Sequence, residues 1–214
     1  MTLQDKLLRQ FRNPSGRLGR VNLWDMNRRH SQVTNWGLKH VSIAENATIL
    51  DVGCGGGKTI QKLAQMAPQG RVFGVDHSAA CIDSSRSLNR SAIKVGQVEL
   101  RQAPVSRLPF DDQLFDLVTA VETHFYWPNL PADMREVWRV LKPGGTFVII
   151  AEAYKGGKFD QRVQAFADMM TPMGYSNLNV DEHRELFMQA GFADVQVFEE
   201  YDKGWICATG RRSF

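Results

Sequence analysis

Apolar positions along the chain recur with two different spacings. Thr48 to Val52, Arg71 to Val75, Gln97 to Ala103, a stretch within Gln113 to Val121, and Thr146 to Ala151 are short β-branched or apolar runs, the pattern of buried strands. Between them, Lys58 to Ala67 places Ile60, Leu63, Ala64 and Ala67 at helical spacing. Helices are also expected from Ser78 to about Ile93 and from Ala132 to Leu141, the latter stopped by Lys142-Pro143-Gly144-Gly145. Two more are expected at about Phe159 to Met170 and Asp181 to Ala190, the second closed by Gly191. The last strands, Val195 to Glu200 and Trp205 to Thr209, are separated only by Tyr201-Asp202-Lys203-Gly204, a link short enough to permit only an antiparallel pair. Ahead of this alternation lie a short helix over Thr2 to Phe11, a break at Arg12 to Gly16, and a second helical segment from about Arg20 to Val41. The pattern predicts an α/β domain over 46–214 behind an N-terminal helical cap over 1–45.

The first strand runs into Gly53-Cys54-Gly55-Gly56-Gly57, and a helix follows at once. Residues without a Cβ allow the sharp turn and let a ligand approach the main chain, where the first amides of the new helix face it. Asp51 precedes the first glycine by two positions, and the next strand ends in Asp76, the distance at which a ribose-binding acid sits. A tight structural connection is the plain alternative. A nicotinamide dinucleotide fingerprint would need a third small residue where Lys58 stands. Asp51, Gly53, Gly55 and Gly57 instead follow the spacing acid-x-G-x-G-x-G.

With this motif the chain resembles the class I S-adenosylmethionine-dependent methyltransferases, and Asp111 to Asp116 resembles their ubiquinone- and menaquinone-methyltransferase-like branch. The resemblance covers about Thr48 to Gly210. It implies a Rossmann-like seven-stranded sheet in the order 3-2-1-4-5-7-6, with the last strand antiparallel and helices on both faces. It implies methyl transfer from S-adenosylmethionine, with S-adenosylhomocysteine as product. By the same resemblance Asp51 helps orient the methionine amino group, through water or the glycine loop, with a loop-stabilising acceptor as the plain alternative; Gly53, Cys54 and Gly55 offer main-chain contacts, and Asp76 takes the ribose hydroxyls. His77 stacks on the adenine edge. Gln102 to Phe110 looks like the family's adenine-binding segment, but Pro104 stands where an acid is usual, leaving the Val105 amide to hold the ring.

The fourth strand ends in Val121-Glu122-Thr123-His124-Phe125-Tyr126-Trp127-Pro128, and ligands of such sheets bind beyond the carboxyl ends of strands. Glu122 then holds the methionine amino group or the substrate. His124 is the candidate general base, because an imidazole titrates near neutrality. A packed, loop-bonding histidine is its alternative. The aromatic residues form either a substrate wall or core. In the cap, Trp24, Arg28, Arg29, His30 and Trp36 either line a pocket or pack the cap onto the domain. Tyr154 to Lys158 reads as a lid or as a plain connector.

Composition narrows the classes. A chain of 214 residues with 43% hydrophobic content has the makings of a globular core. No apolar run approaches the about 20 residues of a membrane span, and Met1 to Gln10 carries no signal-peptide pattern. Cys54, Cys81 and Cys207 form no C-x-x-C pair, so neither a disulfide framework nor a zinc site is expected, and a cytoplasmic setting is. The net charge of +3 is too small to imply nucleic acid, although the segment before the first strand is basic. The acceptor expected is a small molecule. An RNA or protein acceptor, a non-catalytic partner subunit that keeps the cofactor fold, and an NAD-dependent oxidoreductase are the alternatives.

Overall fold

The computed structural model describes residues 30–213, and the expected helix over Thr2 to Phe11 lies outside them, with Trp24, Arg28 and Arg29. Helix α1 (Ser31–Gly37) ends in a 3-10 turn over Leu38–His40. Strand β1 (Thr48–Val52), helix α2 (Lys58–Met66) and strand β2 (Arg71–Asp76) follow. Next come α3 (Ala79–Leu88), α4 (Arg90–Lys94) and β3 (Val98–Gln102). Then β4 (Phe115–Val121), α5 (Leu130–Val140) and β5 (Leu141–Ala151) complete the alternating part. Helices α6 (Asp160–Met170) and α7 (Val180–Gln189) lead to β6 (Phe192–Glu200) and β7 (Trp205–Arg212). All seven strands form one sheet ordered β3-β2-β1-β4-β5-β7-β6. The first five are parallel, while β7 runs antiparallel to both β5 and β6. This is the order and the reversed last strand that the sequence leads one to expect.

Alternation along the strands divides the core into two layers. Leu50, Val52, Phe73, Val75, Val118, Ala120, Phe147 and Ile149 point to one face, covered by α5 and α7 through Met134, Val137, Leu186 and Phe187. Ile49, Val72, Leu117, Val148 and Ile150 point to the other, covered by α2 and α3 through Ile60, Leu63 and Ile82, and by α1 through Val33. Burial on both faces is why these strands read as nearly continuous apolar runs rather than strict alternation. Among the described residues, no helix is long and apolar enough to cross a membrane.

Several boundaries differ from the sequence expectation, each for a local reason. The helix expected up to Ile93 is broken at Asn89, whose buried side chain donates to the carbonyls of Ser85 and Gly57, both at 3.0 Å. Side-chain bonding of this kind competes with the helical ladder. Helix α5 starts at Leu130, two residues early, because the Asn129 side chain accepts from the Ala132 amide and Pro131 occupies the first turn. Lys142 to Gly145 does not separate α5 from its strand. Leu141 already pairs with Phe115, and the ladder resumes at Leu117 and Thr146 after a bulge. The end of α5 is held by Arg212, whose Nη1 donates to the carbonyls of Trp138, Arg139 and Leu141. β7 continues past Thr209 because Gly210 and Arg211 still pair with Phe147 and Thr146 of β5, and Arg211 and Arg212 with Ala193 and Phe192 of β6. Strand β6 begins three residues early, at Phe192, with a bulge near Asp194, which has φ +51°.

Candidate active site

A cavity of about 250 Å³ opens beyond the carboxyl ends of β1, β2 and β4. Its floor is the glycine turn, fixed by two bonds from the Gly53 and Cys54 amides to the Val75 carbonyl, at 2.8 and 2.9 Å. Gly55 lines the cavity with φ +50°, and a Cβ there would meet only the Gly53 carbonyl, at 4.0 Å. The turn is therefore a cradle with room above it, and the start of α2 borders it through Lys58 and Thr59.

Asp76 occupies the rim at the end of β2 and is 7% exposed. Its Oδ2 accepts from the Gly55 amide at 3.0 Å and its Oδ1 from the Ser78 amide at 2.9 Å. Each oxygen keeps a further lone-pair direction, enough for a pair of vicinal hydroxyls. His77 is half-exposed beside it, with Nδ1 3.6 Å from Asp76 Oδ1. The Ala103 amide bonds the Asp76 carbonyl at 3.0 Å, which carries Ala103, Pro104 and Val105 to the cavity wall. Carboxylate, glycine cradle and an adjoining apolar slot form a donor and acceptor set that suits a nucleoside joined to an amino-acid chain.

Asp51 does not line this cavity. It is 1% exposed, beneath the turn, and accepts from Thr119 Oγ1 at 2.6 Å. Burial pushes its carboxyl up to about 7, against the opposing effect of the Thr119 bond and with a further push from the Asp76 charge. Its influence on a ligand thus passes through the glycine turn. Cys54 and Cys81 do line the cavity, but burial pushes both thiols upward, which removes them as nucleophiles.

At the opposite end of the cavity stand Glu122, His30 and Tyr126. Glu122 follows β4 with φ +56°, and its Oε1 accepts from the Glu152 amide at the end of β5. The Glu152 carboxylate in turn lies 3.3 Å from His30 Nε2. One polar atom from each of His30, Glu122 and Glu152 falls within 4.8 Å of the others, the one such three-residue grouping among the described residues. Burial pushes the Glu122 carboxyl up to about 7, opposed by the His30 charge and reinforced by that of Glu152.

His124, the base expected from sequence, sits behind the wall instead of in it. It is 2% exposed, and its Nε2 lies 3.2 Å from Nε2 of His183, which is 1% exposed. His183 Nδ1 bonds the Asn179 carbonyl at 2.7 Å. A carbonyl only accepts, so His183 carries its proton on Nδ1, and His124 donates from Nε2 to the bare His183 nitrogen. The reason for the departure is the 3-10 turn over His124–Tyr126, which presents Tyr126 to the cavity and turns His124 toward α7. Burial and the His183 charge hold His124 well below the ordinary imidazole range, and burial lowers His183.

This pair makes stability depend on pH. The unfolded chain binds protons at these positions from about pH 6.5 downward, the folded chain only at lower pH. The stabilising contribution is therefore complete above about 6.5 and is withdrawn as the pH falls through the folded values. Urea denaturation between pH 7.5 and 5 should show a steeper loss for the wild type than for His183→Gln. Parallel curves would contradict the assignment.

Of the other residues singled out in the sequence, Trp36 packs on Trp205, with ring centroids 5.9 Å apart, and does not reach the cavity. His30 and Trp127 do. Phe125 belongs to the core with Tyr154 and Ile206. Tyr154 is 2% exposed, and its hydroxyl donates to Glu199 Oε1 at 2.6 Å, so the start of the segment after β5 is anchored. Glu152 was not singled out, although an acid following a strand at the ligand end of the sheet is a readable signal.

Residues 50–149 match the family model described as a methyltransferase domain. A demethylmenaquinone methyltransferase of Symbiobacterium thermophilum is 35% identical over 112 residues, 52% of this chain and 45% of that protein. The chain thus spans about half the length of that curated relative. Among solved structures, the Haloferax volcanii complex between the Trm112 methyltransferase activator and a methyltransferase superposes with TM-score 0.78 at 21% identity, covering 90% of this chain and 94% of that one. Geranyl diphosphate C-methyltransferase from Streptomyces coelicolor, in complex with Mg2+, geranyl-S-thiolodiphosphate and S-adenosyl-L-homocysteine, superposes with TM-score 0.69 at 18% identity, covering 85% and 76%. With a glycine turn fastened to Asp76 at the head of a 3-2-1-4-5-7-6 sheet, the chain has the Rossmann-like methyltransferase fold, matches a methyltransferase domain over residues 50–149, and is similar to the ubiquinone- and menaquinone-methyltransferase-like proteins.

Proposed function

We propose that the protein transfers a methyl group from S-adenosylmethionine to a small-molecule acceptor. The observation that carries this reading is the Asp76 carboxylate, bonded to the Gly55 amide while facing the cavity. Asp76 takes the two ribose hydroxyls. The main chain of Gly53, Cys54 and Gly55, backed by Asp51, receives the methionine part. His77, Pro104 and Val105 enclose the adenine. The cofactor supplies a methyl group already activated by its sulfonium, so the chain's own residues have to align the acceptor and exclude water. Tyr126, Trp127 and Glu122 form the wall on that side, with His30 delivered by the segment before α1. Within the cap over 1–45, the described part that bears His30 then closes the acceptor side, while the domain over 46–214 holds the cofactor. The setting is cytoplasmic, which suits three buried, unpaired thiols.

Calorimetric titration with S-adenosylmethionine, S-adenosylhomocysteine and NAD tests the reading. Micromolar binding of the first two and none of NAD is the expected result. Binding of NAD alone would replace methyl transfer with hydride chemistry.

A further inference from the structure

We propose that Pro104 is a specificity-determining residue, which locks the Ala103 carbonyl and the Val105 amide into a main-chain edge that reads the amino group and the adjacent ring nitrogen of adenine. The inference rests on the cofactor reading above and deepens it, giving to the backbone the part that an acidic side chain at this position would play.

Proline sets the local geometry. Pro104 has φ −75° and ψ 154°, and its ring fixes the first of these angles. The residue before a proline is itself held extended, so Ala103 continues the line of β3. An extended residue throws the carbonyl before it and the amide after it to one side. Which side that is follows from the Ala103 amide, which donates to the Asp76 carbonyl of β2 at 3.0 Å. In an extended residue the amide and the carbonyl share a side, so the Ala103 carbonyl and the Val105 amide both face β2 and the cavity. The N–H that proline lacks would point the other way, and β3 is the last strand on that side of the sheet. The proline therefore costs no ladder bond.

Continued pairing would fill the inner side, but the strands part there. In a regular parallel ladder the Ala103 carbonyl would take the Ser78 amide, two residues beyond Asp76. The Ser78 amide donates to Asp76 Oδ1 at 2.9 Å instead. Among the described residues the Ala103 carbonyl accepts no hydrogen bond and the Val105 amide donates none, although both residues line the cavity and are only 8% exposed. Buried main-chain groups without a partner are rare, and an adjacent acceptor and donor left so mark a place for a ligand.

The edge is also held in place from behind. The Pro104 carbonyl takes the Arg107 amide at 3.3 Å, and the Leu108 amide donates to Glu136 Oε1 at 2.8 Å. Arg139 on the same helix donates to the carbonyls of Leu108 and Phe110, at 3.2 and 2.9 Å. A fixed acceptor beside a fixed donor selects a ligand with the opposite pair. Adenine offers it, an amino donor beside the N1 acceptor. Hypoxanthine offers the reverse, an oxygen acceptor beside an N1–H donor, and unsubstituted purine keeps only the ring nitrogen.

Calorimetric titration with S-adenosylhomocysteine, and with its analogues carrying purine or hypoxanthine in place of adenine, tests the proposal. Wild type should bind the purine analogue about tenfold more weakly, since one hydrogen bond is lost and a buried carbonyl is left bare. The hypoxanthine analogue should lose about a hundredfold, since both contacts become repulsive. Pro104→Gly frees the backbone, and should weaken S-adenosylhomocysteine most and draw the three affinities together. A proline that only shaped the loop would lower all three alike, so unchanged ratios in Pro104→Gly overturn its role. Ser106→Ala should keep the wild-type ratios, and ratios that collapse there would pass the reading to a side chain and overturn the main-chain edge. Should Pro104→Gly fail to fold, the wild-type affinities still decide, because equal binding of the adenine and purine ligands refutes the proposal. Failure of wild type to bind S-adenosylhomocysteine at all would instead overturn the cofactor reading.

Discussion

Asp76→Ala should weaken binding of S-adenosylmethionine and S-adenosylhomocysteine by about ten- to a hundredfold. Hydrogen bonds to a charged partner contribute roughly 1.5–3 kcal/mol, and each 1.4 kcal/mol is about tenfold in affinity. The variant loses more than a ribose contact. Asp76 joins the Gly55 amide to the Ser78 amide, and so ties the glycine turn to the start of α3. Without it the turn must be ordered by the ligand, which places the expected loss in the upper part of that range. Asp76→Asn keeps the shape but offers one acceptor oxygen and one donor in place of two acceptors, and should fall between wild type and Asp76→Ala. Calorimetry on the three proteins decides the matter. An unchanged affinity in Asp76→Ala would remove Asp76 from the site.

Gly53→Ala should be the most damaging small substitution in the turn. Gly53 has φ +74°, and an added Cβ would lie 2.2 Å from Thr123 Oγ1 and 2.7 Å from Thr123 Cβ. The left-handed backbone costs a residue with a side chain about 1–2 kcal/mol, and overpacking of a filled site about 1–3. Together that is on the order of 2–5 kcal/mol, or roughly 4–20 °C in Tm for a chain of this size. A cycle with Thr123→Gly separates the two terms. The clash disappears in the double variant while the backbone cost stays, so a coupling of about 1–3 kcal/mol is expected from thermal or urea unfolding. Additive losses would mean that the turn relaxes away from Thr123.

The fold was readable because its signals agree across levels. A strand feeding a glycine turn, regular strand–helix alternation and a final link of four residues leave few topologies open. Asp76 was readable for the same reason, as an acid at the end of the second strand. The acceptor end was not. His30, Glu122 and Glu152 meet because the β4–β5 register sets Val121 beside Ile150, and because α1 lies across that part of the sheet. Neither register nor the seat of a lone helix is written in local periodicity. His124 was misread because a single 3-10 turn decides which of three consecutive aromatic rings faces the ligand, and such a turn has no period of its own. Asp51 was expected to act through water or the glycine loop, or as an acceptor that stabilises the loop, and it lies beneath the turn. As a strand residue it shares the face of Ile49, two positions back, and that face is buried.

The seat of α1 ties the beginning of the described chain to its end. Gly37 lies so close to Ile150 that a Cβ would stand 2.5 Å from it, the Cys207 thiol donates to the Gly37 carbonyl at 3.6 Å, and Trp36 meets Trp205. β7 is therefore a doorpost for the helix that follows His30. Displacing β7 would therefore remove part of the surface on which that helix rests, and with it the seat of His30.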